Sequence, residues 1–190
     1  MSSFLAIANP DAARRLFLGR SALVLSGSAV ALLAGRDALA AKSKGSAASD
    51  VQILNTALAA ELEAVAAYQV GAESGLLQKP VFTLAVQFQG HHKEHAEILG
   101  ETIRKLGGAP VSAKAKYQFP VESLKSQVDV LRFAAGLEKG AVSAYLGAVP
   151  LFANRDLSKA AASILGDEAM HWAILRQAIG ENPVPSAFVS

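Results

Sequence analysis

Cysteine is absent from the 190-residue chain, which excludes disulfides, thiolate-bound zinc, iron–sulfur clusters, a cysteine nucleophile and a lipid-anchored N-terminal cysteine. An excess of one charge sign is missing too. The 18 Lys and Arg residues face 16 Asp and Glu, so electrostatics gives no pointer to nucleic acid or any other polyanion. Charged residues make up only 18% of the chain and apolar ones 52%. That is too apolar for intrinsic disorder and enough for one packed domain. The chemistry left is that of His, Asp, Glu and Tyr, and with only four histidines their positions matter most.

The first forty residues differ in composition from the rest. Ala13-Arg14-Arg15-Leu16-Phe17-Leu18 is followed by Arg20 and by a dilute apolar run, Ala22 to Gly35, interrupted by Ser26, Gly27 and Ser28. A bilayer-spanning helix needs roughly 20 predominantly apolar residues, so this run is a poor permanent anchor. Ala38-Leu39-Ala40 offers the small residues that a signal peptidase prefers, with cleavage expected before Ala41. The segment resembles a twin-arginine export signal. That resemblance implies the twin-arginine export machinery as a partner, passage of an already folded protein, and a periplasmic or extracellular destination. The four arginines here (Arg14, Arg15, Arg20, Arg36) against Asp11 and Asp37 account for the whole net charge, leaving 14 residues of each sign in the mature protein.

Residues 41–50 are small and polar and read as a flexible linker ending in a helix cap at Ser49 or Asp50. Four amphipathic helices are predicted between residues 51 and 182, before a C-terminal tail of residues 183–190. The first runs from Val51 to Glu73, with Val51, Leu54, Leu58, Glu61, Val65 and Tyr68 on one stripe. The second opens at Pro80 and ends at Gly107-Gly108, with Ala85, Phe88, His92, His95, Leu99, Thr102 and Leu106 inward. A long link containing Pro110 and Pro120 leads to the third, Leu124 to Val149, with Val128, Leu131, Ala135, Glu138, Val142, Tyr145 and Val149 inward. The fourth is capped at Asp156 and stopped by Gly180 and Pro183. It turns Leu157, Ala161, Ile164, Glu168, His171, Leu175 and Ala178 inward. No alternating strand pattern competes, so the mature protein is expected to be all-α. Two short links and one long middle link fit two antiparallel hairpins joined by a crossover.

The chain also repeats itself. Glu61-Leu-Glu-Ala-Val-Ala-Ala-Tyr68 aligns with Glu138-Lys-Gly-Ala-Val-Ser-Ala-Tyr145, and His92-Lys-Glu-His95 aligns with Glu168-Ala-Met-His171. Each inward stripe therefore carries ionisable residues near its middle, where a buried carboxylate without a partner is costly. Three carboxylates and three imidazoles facing one another call for a shared cation. A divalent metal ion is a fitting one, because His nitrogens and carboxylate oxygens bind iron, manganese or zinc. The i, i+3 spacing of Glu168 and His171 lets both reach one site.

These features resemble the ferritin-like di-metal carboxylate superfamily, in which two helices each give one Glu and two others each give Glu-x-x-His. The resemblance covers residues from about 51 to 179. It implies an antiparallel four-helix bundle with metal ligands at Glu61, His95, Glu138, Glu168 and His171, to which the inward stripe and the internal repeat add His92, and iron or manganese as cofactor, in one or two positions. His92 departs from the pattern by standing where the family has Glu. Three carboxylates then leave a residual positive charge against two divalent ions, which disfavours their oxidised forms. A rival register turns His91 inward instead, with Glu94 or Glu97 leaning in from its edge. The internal repeat favours His92.

Tyr68 and Tyr145 each follow a Glu by seven residues, about 10.5 Å along the helix, too far to bind the same ion as that Glu. The resemblance implies that each donates to a carboxylate of an opposing helix. Trp172 lies roughly 100° around the helix from His171 and is expected to pack elsewhere. Met170 has no spare inward His to pair with in a haem site. No nucleophile elbow supports a serine hydrolase. The expected function is an exported metal-binding bundle that reacts with oxygen or peroxide. The alternative is a non-catalytic envelope protein that stores metal or protects, and a homo-oligomer stays open.

Overall fold

Four helices are the outcome of that patterning, and the computed structural model describes residues 46–189. The expected export signal, its cleavage point and most of the expected linker lie outside the described residues. Helix α1 spans Ala47–Glu73, α2 Lys79–Lys105, α3 Gln127–Ala148 and α4 Arg155–Ala178. Short 3-10 turns at Val121–Ser123 and Val149–Leu151 precede and follow α3. No strand occurs among the described residues, and no helix among them is long and apolar enough to cross a membrane.

Local chemistry sets the boundaries. The Ser46 side chain accepts from the Ser49 amide to start α1, Ser126 accepts from Asp129 to start α3, and Asn154 accepts from Asp156 to start α4. Pro80 lies in the first turn of α2, where a missing N–H costs nothing. Gly75, Gly107 and Gly180 follow helix ends with positive φ, the left-handed conformation that ends a helix without a Cβ clash. Helix α1 thus begins at Ala47 and not at the expected Val51, and the cap of α4 is Asn154 and not Asp156.

Asp50, expected to cap α1, lies inside that helix and is buried. Its carboxylate accepts from the backbone amides of Ala153 and Asn154, at 2.8 and 3.0 Å, just before α4. The long crossover is tied down in a similar way. Asn55 donates to the Ala109 carbonyl and accepts from the Val111 amide. Gly108 passes so close to α1 that an added Cβ would meet Val51 at 2.6 Å.

Two apolar clusters fill the interior. One holds Leu54, Leu58, Leu99, Ile103, Tyr145, Ala148, Phe152 and Ala161. The other holds Tyr68, Phe88, Leu131, Ala134, Ala135 and Leu175. Each helix passes from one cluster to the other, α1 and α4 in one direction and α2 and α3 in the reverse. Two antiparallel hairpins joined by the 106–126 crossover are the result. The stripes lie as expected except at their ends, where Val128, in the first turn of α3, is 39% exposed and Ala178 faces outward.

Asp50→Ala should remove the charged acceptor of two part-buried backbone amides and lower unfolding stability by about 1–2 kcal/mol in urea titrations. Metal content should not change, because Asp50 holds the far end of the bundle.

Candidate metal centre

Between the two apolar clusters every helix contributes ionisable groups at one level. Glu61 comes from α1, His92 and His95 from α2, Glu138 from α3, and Glu168 and His171 from α4. All are buried except His95, whose side chain is 13% exposed. The six form two overlapping groups: Glu61, His92, His95 and Glu168, and then His92, Glu138, Glu168 and His171. Within each, one N or O atom per residue lies within 4.8 Å of all the others.

The hydrogen-bond inventory of this layer is unbalanced. His95 Nδ1, Glu138 Oε2, both carboxylate oxygens of Glu168 and His171 Nδ1 are buried without a hydrogen-bond partner. Leaving such atoms unpaired costs about 1–3 kcal/mol each, more if charged. They also converge. His95 Nδ1 is 3.2 Å from Glu168 Oε1, and His171 Nδ1 is 3.5 Å from Glu138 Oε1 and 3.9 Å from Glu168 Oε2. Ligands bound at about 2.0–2.1 Å to one tetrahedral cation stand roughly 3.3 Å apart, so the donor set suits a divalent ion.

His92 occupies the middle. Its Nδ1 is 2.8 Å from Glu61 Oε2 and its Nε2 is 3.3 Å from Glu138 Oε1. Burial works against a charge on this ring, but the hydrogen bonds to Glu138 and Glu61 overcome it and raise the imidazole to about 11. Burial likewise pushes the Glu61 carboxyl up, and the hydrogen bond from His92 together with the His95 imidazole beside it reverses the balance and holds it low. For Glu138 burial is again opposed by its neighbours, and the carboxyl sits far below the usual range. Glu168 goes the other way. Burial and the adjoining carboxylate of Glu138 push it up to about 12.

The tyrosines cross the bundle. Tyr68 of α1 donates to Glu138 Oε1 of α3, and Tyr145 of α3 donates to Glu61 Oε1 of α1 at 2.6 Å. Burial and those carboxylates raise both phenols, which keeps their protons in place. Trp172 packs at the edge of the second apolar cluster under Lys139 and Arg176, and Met170 is exposed.

Two neighbours were not among the expected ligands. Asp167 Oδ2 lies 3.2 Å from His171 Nε2 and 3.5 Å from His95 Nε2, so one carboxylate stands behind both rings. Its negative charge beside both Nε2 atoms favours protons there, which leaves each Nδ1 lone pair facing inward. His91 meets the same oxygen at 3.2 Å and His171 Nε2 at 2.8 Å. The two registers weighed for α2 are therefore not exclusive: His92 is inside and His91 is at the rim. Glu94 and Glu97 are exposed and do not lean in. The repeat carried the missing signal, because the offset that aligns His92 with Glu168 also aligns His91 with Asp167.

Known proteins place this arrangement. The ferritin-like domain family matches residues 49–181. The crystal structure of a conserved hypothetical protein from Mycobacterium tuberculosis superimposes with a TM-score of 0.65 at 23% identity, over 74% of this chain and 97% of that one, a likeness of fold. No curated protein matches the sequence.

Glu168 holds a proton in the folded, cation-free protein that the unfolded chain releases above its ordinary value of 4.5. A raised folded-state value stabilises below that ordinary value, and the contribution is lost as pH rises toward the folded one. Glu168→Gln cannot ionise. In chelator-treated protein it should melt a few degrees above wild type near about pH 8, with the gap closing toward about pH 5, by circular dichroism.

Proposed function

Because the chain belongs to the ferritin-like domain family, we propose that it is an exported bundle whose core binds one or two transition-metal ions, iron or manganese, and brings them into reaction with oxygen or peroxide. The observation that carries this reading is the set of five buried nitrogen and oxygen atoms without hydrogen-bond partners, contributed by α2, α3 and α4 within two overlapping four-residue groups whose ligand atoms lie within 4.8 Å of one another. His95 and His171 would each hold a cation through Nδ1. Glu168 would lie between them, and Glu61 and Glu138 would bridge or chelate from the sides. When bound, a redox-active cation supplies the electrons that reduce an oxidant at an open coordination position.

The chain's own residues do the rest. Tyr145 and Tyr68 orient the outer oxygens of Glu61 and Glu138. Asp167 sets its negative charge behind the two imidazoles, and the apolar clusters above and below the layer keep bulk water out. The order of the parts in residues 1–40, an arginine pair, a short apolar run and Ala38-Leu39-Ala40, supports export to the periplasm or beyond. The near equality of charge in the mature chain and the lack of a basic stripe give no support for nucleic acid as a partner.

Protein matured through its own export route should contain iron or manganese by elemental analysis and anomalous diffraction. Glu168→Ala should lose most of it with helicity kept, and unchanged occupancy would remove Glu168 from the ligand set. Peroxide or oxygen consumption by the loaded protein marks an oxidoreductase, whereas stoichiometric metal without turnover marks a storage or protective protein.

Replacing both Arg14 and Arg15 by Lys should leave unprocessed precursor inside the cell. Normal processing would remove the export reading.

A further inference from the structure

Outside the inner group, three polar atoms meet where the layer reaches solvent. His91 Nδ1, Asp167 Oδ2 and His171 Nε2 stand 2.8, 3.2 and 3.2 Å apart. A fourth, His95 Nε2, lies 3.5 Å from the same Asp167 oxygen. Two of the three separations within the triad match the edge of roughly 3.3 Å expected for a tetrahedral cation with bonds of about 2.0–2.1 Å, and His95 stands outside the triad. The short one involves His91, whose side chain is 33% exposed and has room to swing out. Two imidazole nitrogens at 2.8 Å cannot both carry protons, so a nitrogen lone pair already faces this point. Asp167 is 22% exposed, so a cation can arrive from water without crossing the apolar clusters.

We propose that His91 Nδ1, Asp167 Oδ2 and His171 Nε2, with water as the fourth ligand, form a second, outer site for one borderline divalent cation such as zinc or copper(II). Two of its three protein donors are imidazoles, which suits those ions, while the inner set is half carboxylate. The two sites share one ring: His171 turns Nδ1 inward and Nε2 outward. Filling both sides of one ring strips it of every proton, so the outer site holds its ion when the inner site is empty. It acts as the port through which metal enters. The port role rests on the inner site proposed above, but the outer site itself does not.

The test uses full-length protein freed of metal by a chelator, with cobalt(II) as a probe of coordination number and zinc(II) as competitor. In Glu168→Ala, cobalt should give the intense visible bands of a four-coordinate ion, one per chain, displaced by zinc. Adding His91→Ala or Asp167→Asn should abolish the bands, and both positions are partly exposed, so circular dichroism should show the fold intact. Bands that survive both substitutions, or that never form, overturn the outer site.

In an otherwise wild-type chain, His91→Ala should slow metal loading several-fold and leave the final inner occupancy unchanged. An unchanged loading rate overturns the port role. Cobalt that depends on His91 and is indifferent to Glu168 in every background would support the outer site and count against the inner one.

Discussion

Six ionisable side chains held at one level between two apolar clusters are the constraint that the rest of the bundle answers to. Hydrophobic burial drives the helices together, yet the same burial strips water from Glu61, Glu138, Glu168, His92, His95 and His171. Five of the six are accommodated by a specific neighbour. Glu61 and Glu138 each accept a hydrogen bond from a tyrosine and pair with His92, while His95 and His171 face Asp167 through their rear nitrogens. Glu168 has no such neighbour, and burial beside Glu138 keeps it protonated. The layer is thus satisfied at its edges and unsatisfied at its centre. Simple structural packing would favour the opposite distribution, because unpaired groups cost most where water is furthest away.

The bundle is built from one hairpin used twice, and the centre is where the two copies differ. The offset that superposes the copies sets His91-His92-x-x-His95 against Asp167-Glu168-x-x-His171. Two acids in one copy are two imidazoles in the other. The exchange places a basic ring, His92, between the lone carboxylates of α1 and α3, and it places His91 against His171 where the other copy places Asp167 against His95. Symmetry of the backbone therefore supports an asymmetric set of charges, with both acids of one copy replaced by imidazoles in the other.

Much of this was legible beforehand, for identifiable reasons. Apolar residues at spacings of three and four fall on one helix face whatever lies opposite, so four helices, their order and the level shared by the six polar residues followed from periodicity alone. Errors arose where a residue's partner is distant in sequence. Asp50 has the identity and position of a cap for α1 but serves the backbone before α4, more than a hundred residues away. Val128 keeps the period of the α3 stripe but sits in its first turn, with no helix to cover it. His91 and Asp167 lie one residue before the stripe, roughly 100° off its axis. A stripe-based reading discards such positions. Their rings and carboxylate nevertheless reach back to the nitrogens of residues that are on it.

That off-axis geometry also decides how the inner layer communicates with solvent. The apolar clusters close both ends of the bundle, and the helices close its sides, so a charged species can approach only where polar atoms run continuously from surface to core. His91 and Asp167 start such a path, and the rings of His171 and His95 continue it, each with one nitrogen at the rim and the other in the centre. A ring that faces both ways couples the two ends: a proton or cation on Nε2 alters what Nδ1 can donate. Asp167 biases that choice in the cation-free protein because its charge lies beside both Nε2 atoms. The same carboxylate that orients the inner donors is then the group any incoming cation must first displace or engage, which ties access to the centre to the state of a single partly exposed side chain.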